Sequence, residues 1–266
     1  MLRIIHGWRV PFAAALVGIC LAVGAAAAPA GPTAQQILDS MKGGGSFAGN
    51  GRAVIDMTVE KGNQRKSNRV EIYRFDDGHG TSKQMVEFLS PADVKGAKFL
   101  SIAEPGAEDQ MWLYLPSLGR ERRIAGSAVQ GKFMGTDFTF EEISTNESTW
   151  KAYSAERMPD QVVDGKACYV LKLAPKAKDA AYSGITMWVW QESALPLRIE
   201  FQGKSAKAQK VMSFADLSKN ADGEWWPKTI ILQDTGAGST TTVKILETDD
   251  KRAPDDVFSL RRLRKG

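Results

Sequence analysis

From Arg52 onward, apolar and polar residues alternate with a period of two along most of the chain. In the run RAVIDMTVEK, Ile55, Met57 and Val59 share one face, and the residues between them are polar. This alternation is typical of antiparallel strands with one buried and one solvated face. The turn sequences KGNQRKSN and DDGHGTSK separate the first three runs, which predicts a meander of β-hairpins.

The second half of the chain repeats this pattern. Its strand-like runs are separated by Gly, Pro, Asp or Asn, and they are KACYVLKLAP, GITMWVWQE, PLRIEFQ, QKVMSFADLS, EWWPKTIILQD and STTTVKILE. We count roughly a dozen strands over the whole chain, enough for an antiparallel sheet that curls. Since no unit repeats at a fixed period and no low-complexity linker divides the chain, the pattern predicts one mainly β domain.

Two short helices are predicted by capping boxes, in which an N-cap Thr is followed three residues later by Glu or Gln. The first box consists of Thr33 and Gln36, ahead of an apolar stripe, and the second consists of Thr139 and Glu142. Each pair satisfies two backbone N–H groups that the start of a helix leaves without partners. We therefore expect one helix before the first strand and one in the middle of the chain.

An apolar loop with glycines at 131 and 135 leads into the second helix. Its apolar residues, together with those of the helix, are Phe133, Met134, Phe138, Phe140 and Ile143. One interpretation is ordinary packing of the loop against the sheet. The other is a movable lid whose apolar side contacts a ligand, because Met and Phe adapt to irregular apolar surfaces and glycines permit hinge motion.

The strand at 110–115 would lie beneath this loop. Trp112 and Tyr114 are our candidates for the cavity wall, and the alternative set on the other face is Met111, Leu113 and Leu115. Because successive strand residues point to opposite faces, one set alone can face inward.

The N-terminus has the layout of a secretory signal peptide. Arg3 and Arg9 form a basic region, an apolar core spans residues 10–23, and small residues follow. We expect cleavage after Ala27, with Ala30 as the second choice, and an uncleaved membrane anchor as the alternative. The predicted organisation is a signal peptide, residues 1–27, and a single domain, residues 28–266. A periplasmic location follows from it.

Cysteine and histidine chemistry is sparse. A bulky residue, Ile19, precedes Cys20 where a lipoprotein signal needs a small one, so we expect no lipid anchor. The expected mature chain keeps Cys168, predicted to be a small buried residue, and His79, in a turn. No nucleophile or zinc-protease motif accompanies them, and the sequence predicts no metal site and no cofactor.

An enzyme interpretation would depend on the carboxylates Asp137, Glu141 and Glu142, since carboxylate pairs act as acid and base in glycoside hydrolysis. However, Glu141 and Glu142 are neighbours on a helix and point apart, and Glu142 is assigned to the capping box. We therefore expect no enzymatic activity.

The charge balance argues against nucleic-acid binding. Loss of Arg3 and Arg9 with the signal leaves 33 of the 35 basic residues against 31 acidic ones, a net charge of +2. Nucleic-acid binding needs basic residues concentrated on one surface. The basic turn formed by Arg120, Arg122 and Arg123 is a candidate contact for anionic lipid headgroups, and plain solvated charge is the alternative.

Residues 110–143, QMWLYLPSLGRERRIAGSAVQGKFMGTDFTFEEI, resemble a landmark of the outer-membrane lipoprotein-sorting proteins, the LolA-like family. The runs KGAKFL, DGKACYVLKLAPKAKDAAY, LPLRIEF, EWWPKTI and PDDVFSLRRL resemble further landmarks of that family in the same order. The resemblance implies a single, strongly curved antiparallel half-barrel with a few lid helices that enclose a hydrophobic cavity. It covers essentially the whole expected mature chain.

The implied function is that of a non-enzymatic periplasmic carrier, which binds lipoprotein acyl chains or lipids and helps to move them toward the outer membrane. Expected partners are an acylated lipoprotein or lipid and an inner-membrane RND-type or lipoprotein-releasing transporter, with the protein itself a monomer. The alternative is an accessory protein of an RND-type transporter without lipid cargo. An internal cavity of several hundred cubic ångströms favours the carrier, and a filled interior favours the accessory protein.

Overall fold

The computed structural model describes residues 31–41, 50–144, 147–203, 208–220 and 223–265. The expected signal peptide, residues 1–27, lies outside these ranges. The described residues belong to one compact unit that begins at Gly31. In this part of the chain, no helix is both long and apolar enough to cross a lipid bilayer.

Over the described residues, thirteen strands form one antiparallel sheet that curls without closing. In chain order the strands are β1 (Gly51–Lys61), β2 (Gln64–Asp76), β3 (Ser82–Ser90), β4 (Lys98–Ala103), β5 (Gln110–Leu115), β6 (Arg120–Ile124), β7 (Tyr153–Val163), β8 (Lys166–Pro175), β9 (Gly184–Trp190), β10 (Pro196–Gln202), β11 (Ala208–Lys219), β12 (Trp225–Asp234) and β13 (Ser239–Asp249). This arrangement confirms the mainly β domain that the alternating pattern predicts and the curved half-barrel that the family resemblance implies.

The first and last strands pair at the centre of the sheet. The β1–β13 pairing runs from Arg52 opposite Asp249 to Lys61 opposite Ser239. Strands β1 to β6 form a meander on one side of this seam, and β13 back to β7 form another on the other side. Because β6 and β7 are opposite edges of the sheet, the chain between them, residues 125–152, must travel from one edge to the other.

This connection crosses one face of the sheet, which we call the inner face. Alternate residues of nearly all the strands, among them Ile55, Met57 and Phe99, point to the inner face and form the main core. Phe133 and Trp150 of the connection belong to the same core. Burial of this apolar surface is the main source of stability, at roughly 25 cal/mol per Å² removed from water.

Three short α-helices accompany the sheet in the described ranges: α1 (Ala34–Ser40), α2 (Phe140–Ile143) and α3 (Leu260–Arg264). Both predicted capping boxes are present, with Thr33 and Gln36 starting α1 and Thr139 and Glu142 starting α2. Helix α1 buries Ile37 in the inner-face core. The capping pattern therefore identified two of the three helices, and α3 was not predicted.

The C-terminal segment after β13 packs on the opposite, outer face. Phe258 and Leu263 are buried there against Met85 and Leu100. The Lys98 side chain, which is 1% exposed, donates hydrogen bonds to the backbone carbonyls of Arg262 and Lys265 at the end of α3. The sheet is therefore covered on both faces in this half, by the crossing connection inside and by the chain end outside.

Candidate functional site

Residues 131–144, which we call the cover segment, form the part of the connection that lies on the inner face. The Phe133 N–H donates to the Phe138 carbonyl over 2.7 Å, which closes a tight turn. Met134 and Gly135 adopt left-handed backbone conformations in this turn, with φ angles of 47° and 80°. Since glycine adopts this conformation without steric cost, the glycine at 135 suits the turn. The turn leads directly into α2.

An aromatic cluster fixes the cover segment to the sheet. The Phe133 ring lies 5.3 Å from the Phe99 ring, 5.9 Å from the Phe88 ring and 5.5 Å from the Phe140 ring, between centroids. These separations and tilted or edge-on angles are the ones that aromatic pairs prefer. Phe133 and Phe138 are both 0% exposed. In this conformation the aromatic side chains of the cover segment face the sheet and one another.

A buried carboxylate ties the same turn to the central seam. Asp137 is 1% exposed and accepts hydrogen bonds from the hydroxyls of Ser239, at 2.5 Å, and Thr241, at 2.9 Å. Lys132 forms an ion pair with Asp137 at 3.0 Å. Buried charges are tolerated when they are paired and hydrogen-bonded in this way. Asp137 therefore holds the turn of the cover segment against β13, one of the two strands at the centre of the sheet.

A second buried charge pair joins α2 to β11. The Lys210 ammonium lies 2.9 Å from the Glu142 carboxylate and also donates to the Asp137 carbonyl over 2.7 Å. The Tyr182 hydroxyl donates to Glu142 over 2.5 Å. Burial and the negative charge of Glu142 raise the pKa of Tyr182 above its ordinary value. Two of the three carboxylates considered for catalysis, Asp137 and Glu142, are thus engaged in contacts that hold the cover segment.

Glu141 differs from these two carboxylates. Its side chain is exposed, and no hydrogen bond or ion pair to another described residue involves it. Although the residue is exposed overall, the protein around its carboxyl partly removes that group from water, and this desolvation, followed by the charges of Glu142 and Asp109, raises the pKa of the Glu141 carboxyl. Across the described ranges, no group of three or more His, Cys, Asp or Glu residues is placed to hold a metal ion.

A cavity lies between α2 and the inner face of β9 to β11. It provides about 50 Å³ of water-accessible space, room for roughly three to five water molecules by the usual measure of about 10–15 Å³ each. Cavities that take a drug-sized ligand measure roughly 300–1,000 Å³. The cavity is lined by aromatic rings and two carboxylates, which are Trp150, Tyr153, Tyr182, Phe201, Glu141 and Glu142. In this conformation it does not accommodate a whole acyl chain.

The candidate lid residues lie together on the inner face. Four of them are buried in the main core and Met134 is partly buried against it; the four are Phe133, Phe138, Phe140 and Ile143. On β5, Met111 and Leu113 face the same core, whereas Trp112 and Tyr114 lie on the outer face. The expectation that Trp112 and Tyr114 line the cavity wall is corrected accordingly, because the C-terminal segment covers them on the outer face.

The three candidate headgroup arginines are exposed on the edge strand β6. Arg122 pairs with Leu113 and therefore shares the inner face with Arg120, whereas Arg123 pairs with Trp112 on the outer face. A surface groove of about 420 Å³ runs along this edge and includes Leu113 and all three arginines. The structure thus divides the basic turn between the two faces of the sheet.

Sequence reasoning did not identify the partners of the cover segment. Lys210, Tyr182 and Thr241 lie 68, 40 and 104 residues away from their cover-segment partners Glu142 and Asp137. A lysine in the apolar run QKVMSF was a signal, because a strand that alternates should place such a residue in water or against a charge. No local pattern indicated which charge it would meet.

The fold places the protein in a recognisable class. An outer-membrane lipoprotein-sorting protein domain from Vibrio parahaemolyticus matches with a TM-score of 0.77 and 23% identity, over 87% of this chain and 97% of that one. A DUF1329 family protein from Desulfovibrio piger matches with a TM-score of 0.73 and 27% identity, over 80% and 90%. A LolA superfamily protein from Nitrosomonas europaea matches with a TM-score of 0.67 and 19% identity, over 87% and 100%.

These structures show that the chain has a LolA-like fold, which confirms the fold that the sequence resemblance implied. A family model described as "uncharacterized protein" matches residues 80–265, and the chain belongs to this family. The comparison with curated proteins found no match.

Proposed function

We propose that this protein is a non-enzymatic periplasmic carrier that binds lipoprotein acyl chains or lipids on the inner face of its half-barrel. The observation that carries the proposal is the cover segment, residues 131–144: a continuous apolar sheet face is closed by a separate piece of chain. The name of the Vibrio relative, a lipoprotein-sorting protein domain, supports the same role. Cleavage of residues 1–27 would deliver the carrier to the periplasm.

The gain from covering an acyl chain is large. Each methylene transferred from water contributes about 0.8 kcal/mol, so about sixteen carbons amount to roughly 12 kcal/mol when fully covered. The present interior has about 50 Å³ of free space beside α2. Loading therefore requires the cover segment to move outward, so that the ligand's acyl chain replaces its aromatic side chains against the sheet.

The edge groove supplies a candidate contact for the ligand's head. Arg120, Arg122 and Arg123 would attract an anionic headgroup, while Leu113 and Leu115 offer apolar surface next to them. An inner-membrane RND-type or lipoprotein-releasing transporter would load the carrier, which we expect to act as a monomer.

The carrier hypothesis is tested by identifying any lipid that co-purifies with the protein. The protein, expressed as the full-length chain and purified from the periplasm of its host, is extracted with organic solvent and the extract is identified by mass spectrometry. Uptake of a fluorescent fatty acid by delipidated protein is the second measurement. A co-purified lipid or saturable uptake supports the carrier; absence of both results rules it out.

A second function is favoured by one observation, the filled interior around Phe133 and Phe138, both 0% exposed. An accessory protein of an RND-type transporter needs an exterior surface and no internal ligand site. It predicts capture of a transporter after cross-linking in cells, with no extractable lipid. Variants at Val162, an apolar residue that is 71% exposed on the edge strand β7 and lies outside the edge groove, would weaken that capture and leave lipid uptake unchanged.

A further inference from the structure

The cavity beside α2 has an aromatic wall built from distant parts of the chain. Trp150 comes from the turn before β7, Tyr153 begins β7, Tyr182 precedes β9, and Phe201 lies on β10. The Trp150 and Tyr153 ring centroids are 6.5 Å apart, and those of Tyr182 and Phe201 are 4.9 Å apart. The faces of aromatic rings carry partial negative charge and attract organic cations.

The charges at this cavity do not cancel. Glu142 is paired with the buried Lys210 at 2.9 Å and accepts from Tyr182, so its charge is neutralised within the fold. Glu141 lines the cavity as well, and in the described part of the chain no cation pairs with it. Burial and then the two glutamates raise the pKa of Tyr153, which is consistent with negative potential in the cavity.

Size narrows the choice of ligand group. About 50 Å³ of water-accessible space can hold a small polar group of a ligand but not a long acyl chain. An anionic head would be repelled by the Glu141 carboxylate. A compact cation would be attracted by that carboxylate and would lie among aromatic side chains, which favour cations over anions.

We propose that this cavity binds an organic ammonium group, enclosed by Trp150, Tyr153, Tyr182 and Phe201 and paired with Glu141. Where the ammonium is part of an amphiphile, the inference rests on the proposed carrier function and specifies a cationic group beside α2, separate from any anionic group at the edge groove. The same chemistry is available from a free small amine, and the test separates the two sources.

Isothermal titration calorimetry compares three twelve-carbon amphiphiles below their micelle concentrations: dodecyltrimethylammonium, dodecanoate and a neutral dodecyl tetraethylene glycol ether. We expect dodecyltrimethylammonium to bind about tenfold more tightly than either of the others. Equal or tighter binding of dodecanoate would overturn the inference. Tetramethylammonium, titrated alone, binds measurably if a free amine suffices and does not bind if the ligand must be an amphiphile.

Two variants assign the effect to the cavity. Glu141→Gln should reduce the affinity for dodecyltrimethylammonium about fivefold and leave that for the neutral ether unchanged. Glu156→Gln is the matched control, because it removes the same charge from an exposed site on β7 and should change neither affinity. Equal losses in both variants would show a general charge effect and contradict a site at Glu141.

Failure of the carrier and failure of this site give different results. If the neutral ether and a fluorescent fatty acid bind but the ammonium has no advantage, the ammonium site is excluded and the carrier stands. If tetramethylammonium binds and no amphiphile does, the site stands and the carrier is excluded. If none of the probes binds, both are excluded.

Discussion

The Lys210 ammonium lies 2.9 Å from the Glu142 carboxylate, and the two side chains are only 5% and 8% exposed. The pair joins β11 to α2, and Lys210 also holds the Asp137 carbonyl. The cover segment is therefore attached to the sheet by buried charge as well as by aromatic packing. Any outward movement of the segment that accompanies loading has to separate this pair or carry it along.

Replacement of Lys210 by Met should lower the free energy of unfolding by about 3–5 kcal/mol, because it leaves Glu142 buried without its cation. Urea denaturation measures the change. Lys66→Met is the control: Lys66 pairs with Asp93 at 3.0 Å, but both side chains are more than half exposed. Such surface pairs contribute about 0–1 kcal/mol. Similar losses in the two variants would show that the Lys210 pair has no special role.

Replacement of Phe133 by Ala should cost about 3–5 kcal/mol, since it removes a fully buried ring that contacts Phe88, Phe99 and Phe140. Leu118→Ala, at a site that is 59% exposed, should change stability by less than about 0.5 kcal/mol. Thermal and chemical unfolding of both variants give the comparison. A near-neutral Phe133→Ala would mean that the cover segment is already detached from the sheet in solution.

Replacement of Gly51 by Ala should destabilise the β1–β13 seam by at least about 3 kcal/mol. Gly51 has a φ angle of +115°, and an added Cβ would lie 2.1 Å from the Asp249 carbonyl oxygen. Gly62→Ala serves as the control, because its φ angle of +55° is also left-handed but no atom lies within 4 Å of the added Cβ. That variant should lose only about 1–2 kcal/mol. Comparable losses of stability in the two variants would show that the close approach of Gly51 to Asp249 is not what makes the substitution costly.

The stability of the Glu141→Gln variant should depend on pH relative to the natural chain. The pKa of Glu141 is raised in the folded protein by burial and then by the charges of Glu142 and Asp109. The folded state therefore binds the Glu141 proton more firmly than the unfolded chain, whose Glu pKa is about 4.3. Ionisation of Glu141 thus lowers stability as pH rises from that value through the folded pKa.

The variant should accordingly be more stable than the natural chain at pH 8, with the difference vanishing as pH falls below about 4. Urea denaturation at several pH values between 3.5 and 8 measures it. A difference that is independent of pH would contradict the raised pKa. Retention of a destabilising carboxylate is consistent with a binding role for Glu141.

The Cys168 thiol should resist modification in the native protein. It is 0% exposed, and burial raises its pKa above the ordinary value, so little thiolate is present at neutral pH. A chromogenic disulfide reagent should react slowly with the native protein and fully in denaturant. The full chain contains two cysteines, so one reactive thiol in the denatured periplasmic protein would also indicate removal of Cys20 with the signal peptide.

Much of the fold was accessible from local pattern. The alternation of apolar and polar residues in runs such as Ile55 to Val59 predicted strands with one buried face, because a strand places successive side chains on opposite sides. The capping boxes at Thr33 and Thr139 predicted where two helices begin, since the capping hydroxyl and its partner are only three residues apart in the sequence. The resemblance of residues 110–143 to lipoprotein-sorting proteins supplied the half-barrel.

Alternation on β5 could not say whether Trp112 or Leu113 faces inward, because both sets are apolar. The position of the C-terminal segment shows which set faces inward. Phe258 and Leu263 cover the outer face, where Trp112 and Tyr114 lie, so Leu113 faces the inner core. Nothing local to β5 contains that information, since the covering residues are more than 140 positions away in the sequence.

The sequence by itself thus determined the strands and two helix starts, which depend on neighbours within a few residues, and its ordered motifs indicated the LolA-like fold. The tertiary structure alone decided that the cover segment is held by Lys210 and the central seam, that the interior is filled around Phe133, and that Glu141 meets an aromatic cavity. These features depend on contacts between residues far apart in the chain, and the curl and strand order of the sheet determine which of them meet.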